Sequence, residues 1–257
     1  MLPCFVFQNI SSCEDCRRNG RQGGRAGRRS FSARVWDICY NAPAAHPRGF
    51  QRRGSMAGDK RYGFIDISDM PDGVYDSGEL SCDGIRWAVT SDVSDLAVNH
   101  CGAVAVTNLA LYFADKGCTG LTGEDRGSGE KSGGSERTEK RERETFGAVH
   151  KIVGNGPRIT IAGGGKRYFE ARGYRLYTRK VKNFAALKRT VEKGHPCAVL
   201  LMANLTERHW ALAVGWREYA CGGKYIRLVD GWNRDADCFY RPGHGARWIA
   251  ATEYWVG

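Results

Sequence analysis

The sequence of 257 residues has no long hydrophobic run, because no stretch approaches the roughly 18 consecutive apolar residues that suggest a membrane span. Its start, MLPCFVFQNI, has no basic segment before the short apolar run, and no clear cleavage site of small residues follows it. No internal repeat is visible. We therefore expect no membrane span and no secretory signal. The cellular compartment of the protein is not defined by the sequence, although the absence of a signal favours the cytoplasm.

The net charge of +11 is concentrated in the first 55 residues, which hold ten arginines against Glu14, Asp15 and Asp37, a balance of +7. This segment is rich in Arg, Gly and Ser and has no periodicity. Such a composition buries too little apolar surface to offset the entropy lost on ordering, so we predict that residues 1–55 form a disordered extension. The next residue, Met56, would be a sensible natural start of translation. By this hypothesis residues 1–55 result from an incorrectly assigned start codon.

Two binding functions of this extension remain as alternatives. Its arginines could bind nucleic acid by releasing counterions, but the run RRNGRQGGRAGRRS contains no aromatic residue that would stack on bases, so nucleic acid is not the favoured partner. Cys13 and Cys16, with Cys4 and Cys39 nearby, could ligate zinc, although structural zinc sites usually contain two such pairs. We expect no metal and no other cofactor, and mostly reduced, packed thiols among the ten cysteines.

Residues 56–257 have the patterns of one folded domain with two clear helices. From Cys101 to Ala114 the apolar side chains recur at spacings of three and four, which predicts a helix. A second helix is expected between Asn183, a typical N-cap residue, and Gly194, which suits the position just after a helix end.

Short strands are predicted over residues 196–202, 210–216 and 225–230, and residues 85–89 alternate like a further strand. Cys221-Gly222-Gly223-Lys224 has the composition of a tight turn, so the last two strands should form an antiparallel hairpin. Because helical patterns dominate the first half of the domain and strands the second, we predict an α+β fold.

The composition of two glycine-rich stretches predicts irregular structure. Residues 116–144 are almost entirely Gly, Ser, Thr and charged residues, which predicts a flexible insert within the domain. Gly163-Gly164-Gly165-Lys166 lacks the Ser or Thr that follows the lysine in a phosphate-binding loop, so a flexible turn is expected there.

Three residues stand in an order that suits nucleophilic catalysis: Cys101 opens a predicted helix, His209 opens a strand and Asp230 closes the next strand. The unpaired N–H groups and the dipole of a helix N-terminus stabilise a thiolate. A histidine that holds the thiol proton stabilises it further, and an acidic acceptor can orient that histidine. Each residue alone has an ordinary alternative: a core cysteine, a structural histidine and a turn aspartate. His100 should point away from Cys101, either exposed or lining the cleft.

Four segments carry a resemblance to a known family. NHCGAVAVTNLALYF resembles the nucleophile helix of C39-like peptidases, a branch of the papain-like cysteine peptidase superfamily. VEKGHPCAVLL, ERHWALAVGW and YIRLVDGW resemble the family's segments leading to its histidine strand, the strand itself and its closing Asp strand. The resemblance covers roughly residues 60–257 apart from the insert. It implies a papain-like fold, with the nucleophile helix packed on an antiparallel sheet, and a triad of Cys101, His209 and Asp230.

The sequence departs from this family at one position. The family usually places a Gln several residues before the cysteine to bind the oxyanion, and residues 91–98 contain none. Asn99 is the nearest amide and could donate instead; losing such a donor costs roughly 10²–10³ in rate. Trp210 and Trp232 are either walls of the triad or plain core aromatics.

The leading functional expectation is a cysteine peptidase or amide hydrolase that acts on a peptide or amide substrate through a thioester acyl-enzyme. The alternatives are acyl transfer through the same thioester and a catalytically inactive papain-like binding module. The sequence does not define the oligomeric state.

Overall fold

The computed structural model describes residues 61–97, 99–123, 134–156 and 158–257, with side chains omitted at 134–136. The chain divides into two units, residues 1–51 and 52–257, and all described residues belong to the second. The predicted disordered extension over residues 1–55 lies outside the described residues. The arginines considered for nucleic-acid binding and the cysteines considered for zinc binding also lie outside the described residues.

The described part contains helices and strands in the mixture expected for an α+β fold. Its α-helices are α1 Cys101–Asp115, α2 Gly134–Val153, α3 Ala162–Glu170 and α4 Phe184–Glu192. Its strands are β1 Phe64–Asp66, β2 Val74–Glu79, β3 Leu176–Lys180, β4 Cys197–Met202, β5 Arg208–Tyr219, β6 Lys224–Val229, β7 Cys238–Tyr240 and β8 Arg247–Val256. None of the helices in this part of the chain is long and apolar enough to cross a membrane.

The strands pair antiparallel in one sheet of order β1-β7-β6-β5-β4-β8-β3, and β2 pairs with a further part of β5. The 12-residue strand β5 lies at the centre and is buried along most of its length. Leu212 of β5 pairs with Val229 of β6. Because paired strands run in opposite directions, the start of β5 and the end of β6 meet at one end of the sheet, where His209 and Asp230 lie.

The helices and strands with strong local signals are confirmed. Helix α1 begins at Cys101, and β4, β5 and β6 cover the three main predicted strands. At α4, the Asn183 Oδ1 accepts the Ala186 N–H at 2.9 Å. At the other end Gly194 has a φ of +77°, and its N–H bonds to the Val191 carbonyl at 2.8 Å. These capping positions therefore determined the helix bounds.

The predicted strand over residues 85–89 is wrong. The segment is irregular, and the side chain of Asn108 in α1 takes the place of a neighbouring strand. The Asn108 Oδ1 accepts the Ala88 N–H at 2.8 Å, and its Nδ2 donates to the Ala88 carbonyl at 3.0 Å. This amide satisfies a buried backbone pair that would otherwise need a strand partner.

The interpretation of residues 116–144 as a flexible insert fails at both of its described ends. Leu121, in a short 3-10 helix, is fully buried, and residues 134–144 form the first half of α2. The polar half of α2 contains no proline and continues into Phe146, Val149 and Val153, which are buried in the core. A charged segment can be helical when packing of its apolar end pays the nucleation cost. Residues 124–133 lie outside the described part.

The glycine run 163–165 also differs from its predicted flexible turn, because it forms part of the first turn of α3. A Cβ added at Gly164 would lie 2.9 Å from the Val153 Cγ2, closer than real carbon atoms approach. Gly165 lies against Leu176 and Val106. Gly164 therefore allows α3 to pack closely on α2, which outweighs its low helix propensity.

A buried carboxylate links α2 to the segments around the candidate site. Glu142 is only 3% exposed and lies 3.2 Å from the Arg86 Nε and 3.5 Å from the Arg234 Nη1. Arg234 also pairs with Asp92 at 2.5 Å. Burial outweighs the two guanidinium groups and, with Asp92 acting in the same direction, raises the pKa of Glu142 to about 7.

We expect Glu142→Gln to remove a pH dependence of stability. The folded-state pKa of about 7 exceeds the ordinary 4.5, so the folded protein binds the extra proton. Parent stability should therefore fall as pH rises from about 4.5 to 7, by at most about 3 kcal/mol. Urea unfolding at several pH values should show this fall in the parent and in Glu144→Gln, an exposed exchange on the same helix, but not in Glu142→Gln. Equal slopes in all three proteins would contradict the assignment.

Candidate active site

Cys101 is the first residue of α1 and is partly buried. The preceding turn is tight: Asn99 has a φ of +52°, and its carbonyl accepts the Gly156 N–H at 2.8 Å. Asparagine adopts this left-handed conformation more readily than most residues. A Cβ added at Gly102 would lie 3.0 Å from the Ile161 Cγ2 and 3.5 Å from the Trp210 ring. Glycine after the cysteine thus lets α1 approach both neighbours.

The surroundings of the Cys101 thiol affect its pKa in two directions. Burial has the largest effect and raises the pKa of the thiol, whereas the backbone N–H groups of Trp210, Gly102 and Cys101 itself lower it. The sulfur therefore lies beside the backbone of Trp210, the residue that follows His209 in β5. These N–H groups stabilise a thiolate less than burial destabilises it, so a reactive thiolate at this position would require a cationic partner.

His209 is held by two aromatic contacts to its ring and by one ring nitrogen. It is 3% exposed, stacks on Trp232 with ring centroids 4.0 Å apart, and meets the Tyr62 ring edge-on at 5.7 Å. Its Nε2 lies 2.5 Å from the main-chain carbonyl oxygen of Asp230. Such packing fixes the plane of the imidazole, and an indole face stabilises a positive charge placed over it.

The carboxylate of Asp230 is buried and turns toward its own loop. Its Oδ1 accepts the N–H groups of Trp232 at 2.8 Å and Asn233 at 2.9 Å, and its Oδ2 accepts the Asn233 Nδ2 at 2.7 Å. Burial raises the pKa of this carboxyl, while the bonds from Asn233 and Trp232 act in the opposite direction. The structure therefore brings His209 and Asp230 together through the main chain of Asp230.

The other candidate residues have different surroundings. The Asn99 side chain is exposed beside the helix start. His100 is 7% exposed, with its Nε2 3.2 Å from the Thr90 carbonyl oxygen and its ring edge-on to Phe146. Burial lowers the pKa of His100. The expectation that His100 is exposed or lines a cleft is therefore wrong, because the Phe146 ring of α2 covers it.

Sequence reasoning missed two contributors to this site. Asn233 holds the Asp230 carboxylate with both its main-chain and side-chain N–H groups. The Asp-Gly pair is a signal that could have revealed this loop, since aspartate in a turn often accepts the N–H two residues further on. The second is Arg158, whose carbonyl accepts the Trp210 Nε1 at 2.8 Å. No local signal predicts that contact.

A cavity of about 610 Å³ lies between the end of α1 and the start of α2, lined in part by Arg86, Leu111, Thr119 and Lys140. None of its lining residues belongs to the Cys101 site. Among the described residues, no cluster of His, Cys, Asp and Glu has an arrangement that could hold a metal ion, and the six cysteines there form no disulfide.

Comparisons with known proteins give structural matches alone. No protein-family model matches the chain, and no curated protein matches it. Among solved structures, a protein described as a C39-like peptidase from Bacillus anthracis is 11% identical with a TM-score of 0.41, covering 70% of this chain and 98% of that chain. The active wild-type interpain A cysteine protease of Prevotella intermedia is 13% identical with a TM-score of 0.43, covering 72% and 96%.

A fragment of prointerpain A from the same organism is also 13% identical, with a TM-score of 0.41, and covers 73% of this chain and 74% of that chain. At identities of 11–13% and TM-scores below 0.5, these matches do not assign the chain to a family.

Proposed function

We propose that this chain is a cysteine peptidase or related amide hydrolase with a papain-like fold, in which the nucleophile helix α1 packs on the antiparallel sheet. Cys101 is the nucleophile, His209 its base and Asp230 the residue that orients the base; Asn99 donates to the oxyanion. The observation that carries the proposal is the meeting of two elements. The Cys101 thiol at the start of α1 lies beside the N–H of Trp210. The residue before Trp210 is the buried His209, whose Nε2 is bonded to the main-chain carbonyl of Asp230.

Acylation begins when His209 takes the proton of the Cys101 thiol. The thiolate attacks the carbonyl carbon of a peptide or amide, a C–S bond forms, and the carbonyl electrons move to oxygen. The Cys101 N–H and the Asn99 side chain bind this oxyanion. As the oxyanion collapses, the C–N bond breaks and the imidazolium of His209 gives its proton to the leaving amine.

Deacylation repeats these steps with water. Neutral His209 takes a proton from water, the resulting hydroxide attacks the thioester carbonyl, and the C–S bond breaks. The thiolate of Cys101 is regenerated beside imidazolium, and the acid product leaves. Trp232, stacked on His209, shields the imidazole from bulk water.

The first test is the pH dependence of iodoacetamide labelling at individual cysteines. We expect Cys101 to label faster than Cys221 below about pH 7, because an imidazolium partner keeps a thiol ionised at a pH where an ordinary thiol is protonated. Cys221 is exposed and forms no disulfide, so it serves as the internal reference in the same chain. Peptide mass spectrometry after short labelling times gives both rates.

A Cys101 that titrates near or above the ordinary thiol range, and labels more slowly than Cys221 throughout, would overturn the proposal. The inactive papain-like binding module would then be the better account. One observation already favours that second candidate: burial raises the pKa of the Cys101 thiol. The absence of a Gln from residues 91–98 agrees with it.

A further inference from the structure

We propose that the main-chain carbonyl of Asp230, and not its carboxylate, is the acceptor that orients His209. The carboxylate instead holds the loop that aims this carbonyl. The inference rests on the proposed function, because it assigns the orienting role within the same site. If the carbonyl is the acceptor, Gly231→Ala should reduce the reactivity of Cys101 more than Asp230→Asn does.

The first support is the contact made by the imidazole. The His209 Nε2 lies 2.5 Å from the Asp230 carbonyl oxygen. A carbonyl oxygen can only accept a hydrogen bond, so the Nε2 must carry a proton in both the neutral and the charged ring. The Nδ1 of the neutral ring then holds the lone pair that takes the proton of Cys101. A main-chain acceptor thus selects the same tautomer that a carboxylate would select.

The second support is that both carboxylate oxygens are hydrogen-bonded within their own loop. Both oxygens of Asp230 accept bonds from this loop: two on Oδ1, from Trp232 and Asn233, and one on Oδ2, from the Asn233 amide. These donors close a turn immediately after β6 and hold its backbone in one conformation.

The third support is the conformation of Gly231, which shares a peptide bond with the Asp230 carbonyl. Gly231 has a φ of +75°, a value that L-residues rarely adopt, and its own carbonyl accepts the Thr90 N–H at 2.8 Å. A Cβ added there would lie 3.3 Å from the Val104 Cγ1 of α1. The direction of the Asp230 carbonyl therefore depends on glycine at this position.

The decisive variant is Asp230→Asn. An asparagine Oδ1 can still accept the N–H groups of Trp232 and Asn233, and a rotated Asn233 amide can accept from the new NH₂ group. We expect the rate of Cys101 alkylation at pH 6 to stay within about tenfold of the parent, the remaining loss reflecting one removed negative charge. In a Ser-His-Asp triad, whose acceptor is a carboxylate, the same exchange lowers kcat by about 10⁴ because the imidazole adopts the wrong tautomer.

The complementary variant is Gly231→Ala, which should be the more damaging of the two. Strain at a positive φ rotates the peptide bond and moves the carbonyl away from the Nε2, so we expect a loss on the order of 10² in alkylation rate at pH 6. Gly222→Ala is the matched control. It has a φ of +82° in the β5–β6 turn with no atom within 4 Å of a new Cβ, so it adds backbone strain without touching the site.

The reverse ranking would overturn the inference: Asp230→Asn falling to the level of a His209 variant while Gly231→Ala stays near the Gly222→Ala control. Near-UV circular dichroism of each variant excludes simple unfolding. Imidazole ¹⁵N shifts of His209 separate this result from a failure of the proposed function. If parent Cys101 is unreactive, an Nε2–H tautomer that persists in Asp230→Asn still supports the carbonyl acceptor, and a switch to Nδ1–H refutes it.

Discussion

Replacing His209 by alanine is expected to lower the rate of Cys101 alkylation at pH 6 by at least about 300-fold. Without an imidazolium the thiol keeps a pKa at or above the ordinary value of about 8.5, so roughly 0.3% of it is thiolate at pH 6. Burial raises the pKa of Cys101 further in this protein, which makes the loss larger. Rate measurements from pH 5 to 9 should show the low-pH reactivity replaced by a single step in the alkaline range.

The matched control is His244→Ala, which removes an exposed histidine. It should leave the pH profile of Cys101 unchanged. Added imidazole should restore part of the lost rate in His209→Ala, because the space between Trp232 and Tyr62 can accept the free base. A His209→Ala protein that keeps more than about a tenth of the parental rate at pH 6 would show that another group ionises the thiol, and the assignment of His209 as base would be wrong.

Replacing Asn108 by alanine is expected to lower the free energy of unfolding by about 2–6 kcal/mol. The Asn108 amide both donates to and accepts from Ala88, and both residues are buried. Its removal leaves one buried N–H and one buried C=O without these partners, at about 1–3 kcal/mol each. The loss also loosens the segment that leads to Thr90, whose N–H and carbonyl contact Gly231 and His100. Urea unfolding of the parent and variant measures the difference.

Thr107→Val provides the control for Asn108→Ala. Thr107 is the preceding residue, is equally buried, and donates its hydroxyl to the Ala103 carbonyl within the same helix. Valine keeps its shape and leaves no segment outside the helix without a partner, so we expect a loss below about 1.5 kcal/mol. If the two variants were equally stable, the Asn108 amide would not be the element that holds residues 85–89.

Local signals explain which parts of the fold could be read from the sequence. The N-cap Asn183 and the glycine at 194 determine α4 through bonds within a few residues, and the apolar run of β4 needs only burial to form a strand. Residues 134–144 and 163–165 could not be read in this way. Their composition favours irregular structure, and contacts with Phe146 and Val153 decide otherwise.

The candidate site likewise has some features that the sequence predicts and others that depend on the fold. The order of Cys101, His209 and Asp230 was visible in the sequence, because helix and strand starts have local patterns and an antiparallel hairpin returns the chain to the same end. Their catalytic roles, and that of Asn99, remain predictions. The burial that raises the pKa of Cys101 was not visible, since it depends on residues distant in the chain.

The sequence by itself determined the main helices and strands of the described domain and the residues that could carry thiol chemistry. Helix caps, apolar spacing and turn residues act over a few positions, so a single sequence contains them. Only the folded structure shows that Asn108 replaces a strand partner, that Gly164 lets α3 pack on α2, and that Asp230 meets His209 through its carbonyl. These outcomes depend on which distant groups compete for each hydrogen bond and each cavity, and that competition is resolved only when the chain is folded.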